Sequence, residues 1–290
     1  MKENRLFTLL SFIIFTISAN AQIKGVVKDS ITKEPIAYAA LVYEKTLIGT
    51  NTNEKGEFEL SKNDAITIIS CLGYTSKTLK LSNINEVFLS PKAQEIEEVV
   101  VLNRKNTSKI VVGNYHDSEI GFSNGGASQI WAKYIKATAE IKTHPFIKSI
   151  EFTTKSRVKN AKLKLRFFSA NNLGNADSDL IFDEIIVTVK KGTRKNYVSL
   201  ENYTISIPKE GIFIGFENLI IEENKYEYYY SIEGSDSKSK GVKYEPTIKA
   251  YESDEYNVWS IKNNKSTLFN AKHKKDSNPI ELGVKITLTN

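Results

Sequence analysis

The stretch that most constrains the fold is Gly49-Thr50-Asn51-Thr52-Asn53-Glu54-Lys55-Gly56-Glu57-Phe58-Glu59-Leu60. It reads as strand, tight turn, strand. Asn53 and Gly56 bracket the turn, because Asn and Gly tolerate the positive φ that such turns demand. Beyond it Phe58 and Leu60 alternate with Glu57 and Glu59, so one face is apolar and the other wet. A chain anchored on this element builds sheets.

The flanking sequence keeps that rhythm. Ile23 to Asp29 reads as a first strand, and Pro35 closes a turn because it cannot donate to a ladder. Ile36 to Tyr43, Ile66 to Cys71, Thr78 to Leu81 and Glu86 to Leu89 read as further strands. Short strands at regular spacing, with turn signals and no helical period, predict a β-sandwich. A polar, basic run at Asn103 to Ser108 reads as part of a linker, and a second β-rich region comes after it. There Leu163, Leu165 and Phe167 share a face, as do Ile185, Val187 and Val189, and Leu282, Val284, Ile286 and Leu288. Ile212 to Ile221 is nearly all apolar and predicts a central strand buried on both faces. Only Gln129 to Ala139 could be a helix, and Trp131, Ile135 and Thr138 suit it no better than a strand. The expected architecture is all-β: an N-terminal sandwich, then an antiparallel jelly-roll-like sandwich of about eight to ten strands. The expected boundaries are a signal at 1–21, the first sandwich at 22–91, a linker at 92–110 and the second sandwich at 111–290.

The first 21 residues carry an export pattern: Lys2 and Arg5, the apolar run Leu6 to Ile17, then Ala19-Asn20-Ala21 as a cleavage site. The run is shorter than the ~20 residues a transmembrane helix needs, and no other run is long enough. The expectation is therefore an exported protein, in the periplasm, associated with the outer membrane or on the cell surface. The formal charge is +6, with lysines alternating along strands as in Lys162-Leu163-Lys164-Leu165-Arg166. That pattern predicts a solvated sheet face, not a nucleic-acid surface.

Five elements in order carry a resemblance. The first four are Ile23, Gly25, Val27 and Asp29; Pro35, Ile36, Ala39 and Leu41; Gly49, Thr52, Gly56, Phe58 and Leu60; and Ser70 with Gly73 and Tyr74. The pattern resembles the carboxypeptidase regulatory-like domain, which implies a seven-stranded transthyretin-like sandwich, and departs from it at Asn53, where the family usually has Asp. The fifth is the segment from Leu89 to Val101. It is similar to the segment that succeeds this domain near the start of TonB-dependent nutrient receptors of the Gram-negative outer membrane. The resemblance implies an envelope protein bearing the receptors' N-terminal module. A 22-stranded barrel at ~10 residues per strand does not fit in the ~190 residues that remain.

Chemistry-bearing residues are sparse. His116-Asp117-Ser118-Glu119 has a His-x-x-Glu spacing, with His144 and His273 available as third zinc ligands. It lies between β-rich segments, without the rigid support a zinc site needs, so a metal-dependent hydrolase is the least favoured reading. No Gly-x-Ser-x-Gly elbow is present. Asn175 to Asp179 offers two Asp but neither the Gly nor the bidentate Glu of a calcium loop. Cys71, the single cysteine, lies in an apolar β-run and is expected to be a structural thiol. Tyr226, Tyr228 and Tyr230 fall on one face of a strand, and Tyr256 and Trp259 lie in another strand-like run. These five are the candidate ligand-binding residues, because aromatic faces stack on the apolar faces of sugars. The expectation is a non-catalytic exported protein with a binding or scaffolding role beside a nutrient- or glycan-uptake system. Its expected partners are envelope proteins or glycans, and no cofactor, metal or nucleic acid is expected. A carbohydrate-binding module is the alternative.

Overall fold

The computed structural model describes residues 22–61, 65–81, 86–92, 104–116, 118–232, 234, 237–263, 265–270 and 278–290. The export pattern, Asp117 and His273 lie outside them.

The N-terminal domain contains β1 (Gln22–Asp29), β2 (Ala40–Tyr43), β3 (Gly49–Asn51), β4 (Glu57–Ser61), β5 (Ile66–Ser70), β6 (Tyr74–Thr75), β7 (Lys77–Lys80) and β8 (Glu86–Pro91). They form two sheets, ordered β4-β1-β8-β6 and β3-β2-β5-β7. The expected seven strands become eight segments because one run changes sheets: β6 pairs with β8, and β7 pairs with β5. Val27, Leu41, Ile69 and Leu89 fill the space between the sheets, with Phe58 and Leu60 beside them. Each such side chain contributes ~1.5–3 kcal/mol on burial.

The motif residues of this domain support the fold. Asn53 Oδ1 accepts the N–H groups of Lys55 (2.9 Å) and Glu57 (3.0 Å), and Gly56 sits at φ +72°. Asn therefore fills the turn role expected of Asp. The Thr52 hydroxyl donates to Ile36 C=O and accepts the Ala39 N–H, each at 2.8 Å. The Tyr74 hydroxyl donates to Asp29 at 3.0 Å, tying a late motif element to the first.

The second domain contains β9 (Lys109–Asn114), β10 (Gly121–Asn124), β11 (Ile130–Ile135), α1 (Ala139–Thr143), β12 (Phe146–Ser156), β13 (Ala161–Ala170), β14 (Ala176–Asp179), β15 (Ile185–Val189) and β16 (Gly192–Ser199). It continues with β17 (Ile212–Asn218), β18 (Lys225–Ser231), β19 (Lys238–Glu252), β20 (Trp259–Lys262), β21 (Lys265–Leu268), β22 (Ile280–Leu282) and β23 (Val284–Thr289). An eight-stranded sheet runs β10-β19-β12-β23-β9, with β16, β18 and β22 pairing off that path. A seven-stranded sheet runs β14-β13-β17-β11-β20-β21, with β15 on β13. Phe152, Phe167, Phe216, Leu163 and Leu165 are fully buried between them. All of β17 is buried, as its apolar sequence predicts.

Three expectations change. The strands number fifteen among the described residues, more than eight to ten, partly because Gly283 splits the run Glu281 to Leu288 into β22 and β23. Gln129 to Ala139 is not a helix: its centre is β11, held between β17 and β20, and only the five-residue α1 comes after it. Trp131 packs on Phe122 at 4.5 Å, a contact a strand face supplies. The expected linker also narrows. Lys105 and Asn106 donate their N–H groups to Asn290 C=O at 2.9 and 2.8 Å, and Lys109 already opens β9.

The largest correction concerns Lys162, Lys164 and Arg166. Their face of β13 is not the solvated surface that alternation predicts. Lys164 is 2% exposed; its ammonium donates to Glu184 at 2.6 Å and to Tyr38 C=O at 3.3 Å. Lys162 pairs with Glu54, and Arg166 is clamped by Asp179 (2.6 and 2.9 Å) and Glu217 (3.3 Å). The N-terminal domain contributes Tyr38 and Glu54, so this face is largely an interface. Beside it Tyr38, Leu219 and Ile221 form a shared apolar cluster with Ala37 and Ile186. Asn51 completes the contact. Its N–H donates to Ile220 C=O (2.9 Å), and its Oδ1 accepts the Ile220 N–H (2.8 Å).

Candidate functional site

β18 and β19 form an antiparallel ribbon in which Lys225 to Ser231 face Tyr244 to Lys238. The run of tyrosines suits a strand, where aromatic side chains stand clear of the backbone. Alternation puts Tyr226, Tyr228 and Tyr230 on one face and Lys225, Glu227 and Tyr229 on the other. Tyr226 and Tyr228 stack with centroids 6.4 Å apart and planes 9° apart. Tyr228 and Tyr230 lie 6.0 Å apart, tilted by 40°. Tyr228 and Tyr230 are 38% and 47% exposed, so the row presents ring surface to solvent.

The residue opposite Tyr228 is Gly241. A Cβ there would fall 2.6 Å from the Tyr228 ring, so the ring lies over bare backbone. Glycine at this position lets the tyrosine lie against the ribbon. At the Tyr226 end, the Arg157 guanidinium lies 5.0 Å from the ring centroid, within cation–π range. Glu227, on the other face, pairs with Lys240 at 2.7 Å, and that hydrogen bond holds its carboxyl below the usual range.

Three of the five aromatic candidates therefore come together and two do not. Trp259 belongs to the other sheet, where it meets Phe213 edge-on at 5.2 Å and packs against a small core cluster. Tyr256 lies half-buried in the connection before β20. Arg157 and Gly241 escape a reading of the tyrosine run alone. The register of the ribbon would have found Gly241; only the fold brings Arg157, which lies just past β12, to the start of β18.

The remaining candidates are dispersed. Asn114 Nδ2 lies 3.1 Å from His116 Nε2, and the His116 ring meets Tyr251 edge-on at 4.8 Å. Glu119 pairs with Lys155 at 3.1 Å, which holds its carboxyl below the usual range. His144 Nε2 lies 2.8 Å from Ser108 Oγ. Among the described residues no three His, Cys, Asp or Glu side chains converge as a metal site. Asp179 of the calcium-loop candidate is occupied by Arg166. Cys71 is partly buried beside Glu184 (3.5 Å), and burial pushes its thiol up to about 12, so little reactive thiolate forms.

A cavity of about 810 Å³ opens between the domains, lined by Lys24, Asn53, Glu59, Ile221, Lys225 and Tyr244 among others. Its lysines are paired, Lys24 with Glu59 and Lys225 with Glu222, each at 3.3 Å.

Residues 23–101 match the family of CarboxypepD_reg-like domains. The N-terminal module is a carboxypeptidase regulatory-like domain. A stretch of 108 residues is 35% identical to the TonB-dependent receptor SusC of Bacteroides thetaiotaomicron. That stretch is 36% of this chain and 11% of the receptor, so the chain spans about a tenth of that relative. Two solved structures of Cwp84 are also similar in shape. One is the clostridial cysteine protease after propeptide cleavage (TM-score 0.40, 13% identity, 84% of this chain and 51% of that one). The other holds the cysteine protease and lectin-like domains of this surface-layer-associated protein of Clostridium difficile (TM-score 0.41, 13% identity, 84% and 45%). At those TM-scores neither bears on what this chain does. The regulatory-like domain itself spends its motif residues on its own turns and on the interface.

Proposed function

We propose that this chain is a non-catalytic, exported protein of the cell envelope that binds saccharide on the tyrosine row of its second domain. The regulatory-like domain acts as a brace that fixes the binding domain. The observation that carries the reading is the row itself: Tyr226 stacked with Tyr228, Tyr230 tilted beside them, and the rings of Tyr228 and Tyr230 open to solvent. Pyranose rings offer apolar C–H faces that such surfaces accept, and large exposed aromatics otherwise carry a solubility cost. Likeness of the regulatory-like domain to part of SusC, together with the export pattern at 1–21, supports a place beside an outer-membrane uptake system. Among the described residues His116, Glu119 and His144 each bond to other groups, which disfavours the zinc-site alternative.

Affinity electrophoresis through gels containing soluble polysaccharides tests this. At least one polysaccharide retards the wild-type protein, and Tyr228→Ala, folded by circular dichroism, runs unretarded. Unchanged mobility of the wild-type protein across neutral and acidic polysaccharides refutes the reading.

A further inference from the structure

The tyrosine row is asymmetric in charge. Arg157 sits over Tyr226 at one end. Arg157 is exposed, and among the described residues no carboxylate pairs with it. Two lysines across the ribbon are already paired. Lys243, directly opposite Tyr226, pairs with the buried carboxylate of Glu245 at 3.1 Å, and Lys240 pairs with Glu227. Arg166 is held by two carboxylates of its own domain, Asp179 and Glu217. Arg157 thus keeps an open fork of N–H donors beside an aromatic face, with its plane steadied by the Tyr226 ring.

A guanidinium in that state favours one class of ligand. Its planar fork matches a carboxylate or a sulfate with two parallel hydrogen bonds, whereas hydroxyl groups use it poorly. A pyranose stacked on the exposed Tyr228 ring carries its exocyclic substituent at the ring edge, towards the guanidinium over the neighbouring Tyr226 ring. We infer that the row binds anionic saccharides, with an acidic sugar at the Tyr226 end and its carboxylate or sulfate on Arg157. The inference rests on the saccharide reading above and adds the charge of the sugar and its position in the row. A charge-assisted hydrogen bond is worth ~1.5–3 kcal/mol, which is about tenfold or more in affinity.

The test compares polygalacturonate with its fully methyl-esterified form, which keeps the ring and removes the charge, using the whole chain without residues 1–21. Dextran sulfate and neutral dextran complete the panel, read by isothermal titration calorimetry. Polygalacturonate is expected to bind about tenfold more tightly than its ester. Arg157→Gln brings the acid down to the level of the ester and leaves the ester unchanged, while Arg157→Lys restores part of the difference. Tyr228→Ala abolishes binding of both. Tighter binding of dextran sulfate than of polygalacturonate, still dependent on Tyr228 and Arg157, supports the inference with sulfate as the recognised group. Equal affinity for acid and ester, or an Arg157→Gln variant that binds the acid as the wild type does, overturns the inference and leaves saccharide binding standing. Acid binding indifferent to Tyr228→Ala overturns it as well, since the contact is then diffuse electrostatics. Failure to bind any of the four polymers overturns this inference and counts against the parent reading.

Discussion

Replacing Asn51 with alanine should unfold both domains more easily, although Asn51 belongs to only one of them. Its side chain accepts the Ile220 N–H at 2.8 Å and donates to Tyr38 C=O at 3.2 Å, and it is 5% exposed. The alanine variant leaves Tyr38 C=O with a second donor, Lys164 Nζ at 3.3 Å. The Ile220 N–H has no such substitute in a region where Leu219 and Ile220 are buried. One buried donor left unsatisfied costs about 1–3 kcal/mol. For a chain of this size each kcal/mol moves the midpoint by roughly 2–4 °C, so a fall of about 2–12 °C is expected. The assay rests on composition: the two tryptophans, Trp131 and Trp259, both lie in the second domain. Tryptophan fluorescence therefore reports only that domain, while far-ultraviolet circular dichroism reports both. If the domains unfold as one unit, Asn51→Ala shifts both signals together. A tryptophan transition that stays at the wild-type midpoint while the dichroism shifts would refute the coupling.

Two further outcomes are expected. Cleavage at a site-specific protease sequence inserted between residues 97 and 98 should yield two fragments that co-elute on gel filtration, because the interface holds them; separate elution contradicts a stable contact. Asp29 has its carboxyl held below the ordinary value of 3.8, chiefly by the Ile31 N–H, so it stabilises the fold above the unfolded-state value, and that gain is lost as pH falls through the lowered folded value. Asp29→Asn should therefore be less stable than wild type at pH 7 by urea titration, with the gap closing as the solution is acidified towards and below pH ~3; a gap constant with pH refutes the assignment.

Much of the fold is legible in the sequence because its signals are local. The turn at Asn53 and Gly56, the burial of Phe58 and Leu60, and the doubly buried β17 come from spacing and side-chain type alone. The illegible parts depend on neighbours distant in sequence. The alternation Lys162-Leu163-Lys164-Leu165-Arg166 fixes which residues share a face but not what covers that face, and Tyr38 and Glu54 arrive from more than a hundred positions earlier. The segment at Gln129 to Ala139 carries weak periodicity, so pairing with β17 and β20 decides it. At the candidate site the three tyrosines are readable from their i, i+2 spacing. Arg157 is not, because a cation–π contact between two loosely related segments leaves no mark on either. Trp259 and Tyr256 mislead because aromatic residues in a strand-like run look alike whether they face solvent or a core.

The buried lysine face has a consequence for how such chains can be recombined. The regulatory-like domain lies at residues 23–101, and 108 residues of this chain are similar to part of a large receptor, which invites the view of an exchangeable cassette. Yet Lys164 lies under its neighbour with its charge balanced by Glu184 and capped by Tyr38 C=O, and Lys162 reaches Glu54. A transplanted module without a carboxylate at position 54 leaves Lys162 without its carboxylate partner, and one that seats the carbonyl of position 38 elsewhere takes an acceptor from the buried Lys164 ammonium, which then keeps Glu184. Exchange between relatives is therefore limited by a short seam of residues around 38, 51 and 54, and a chimera that respects the fold but ignores that seam inherits its penalty.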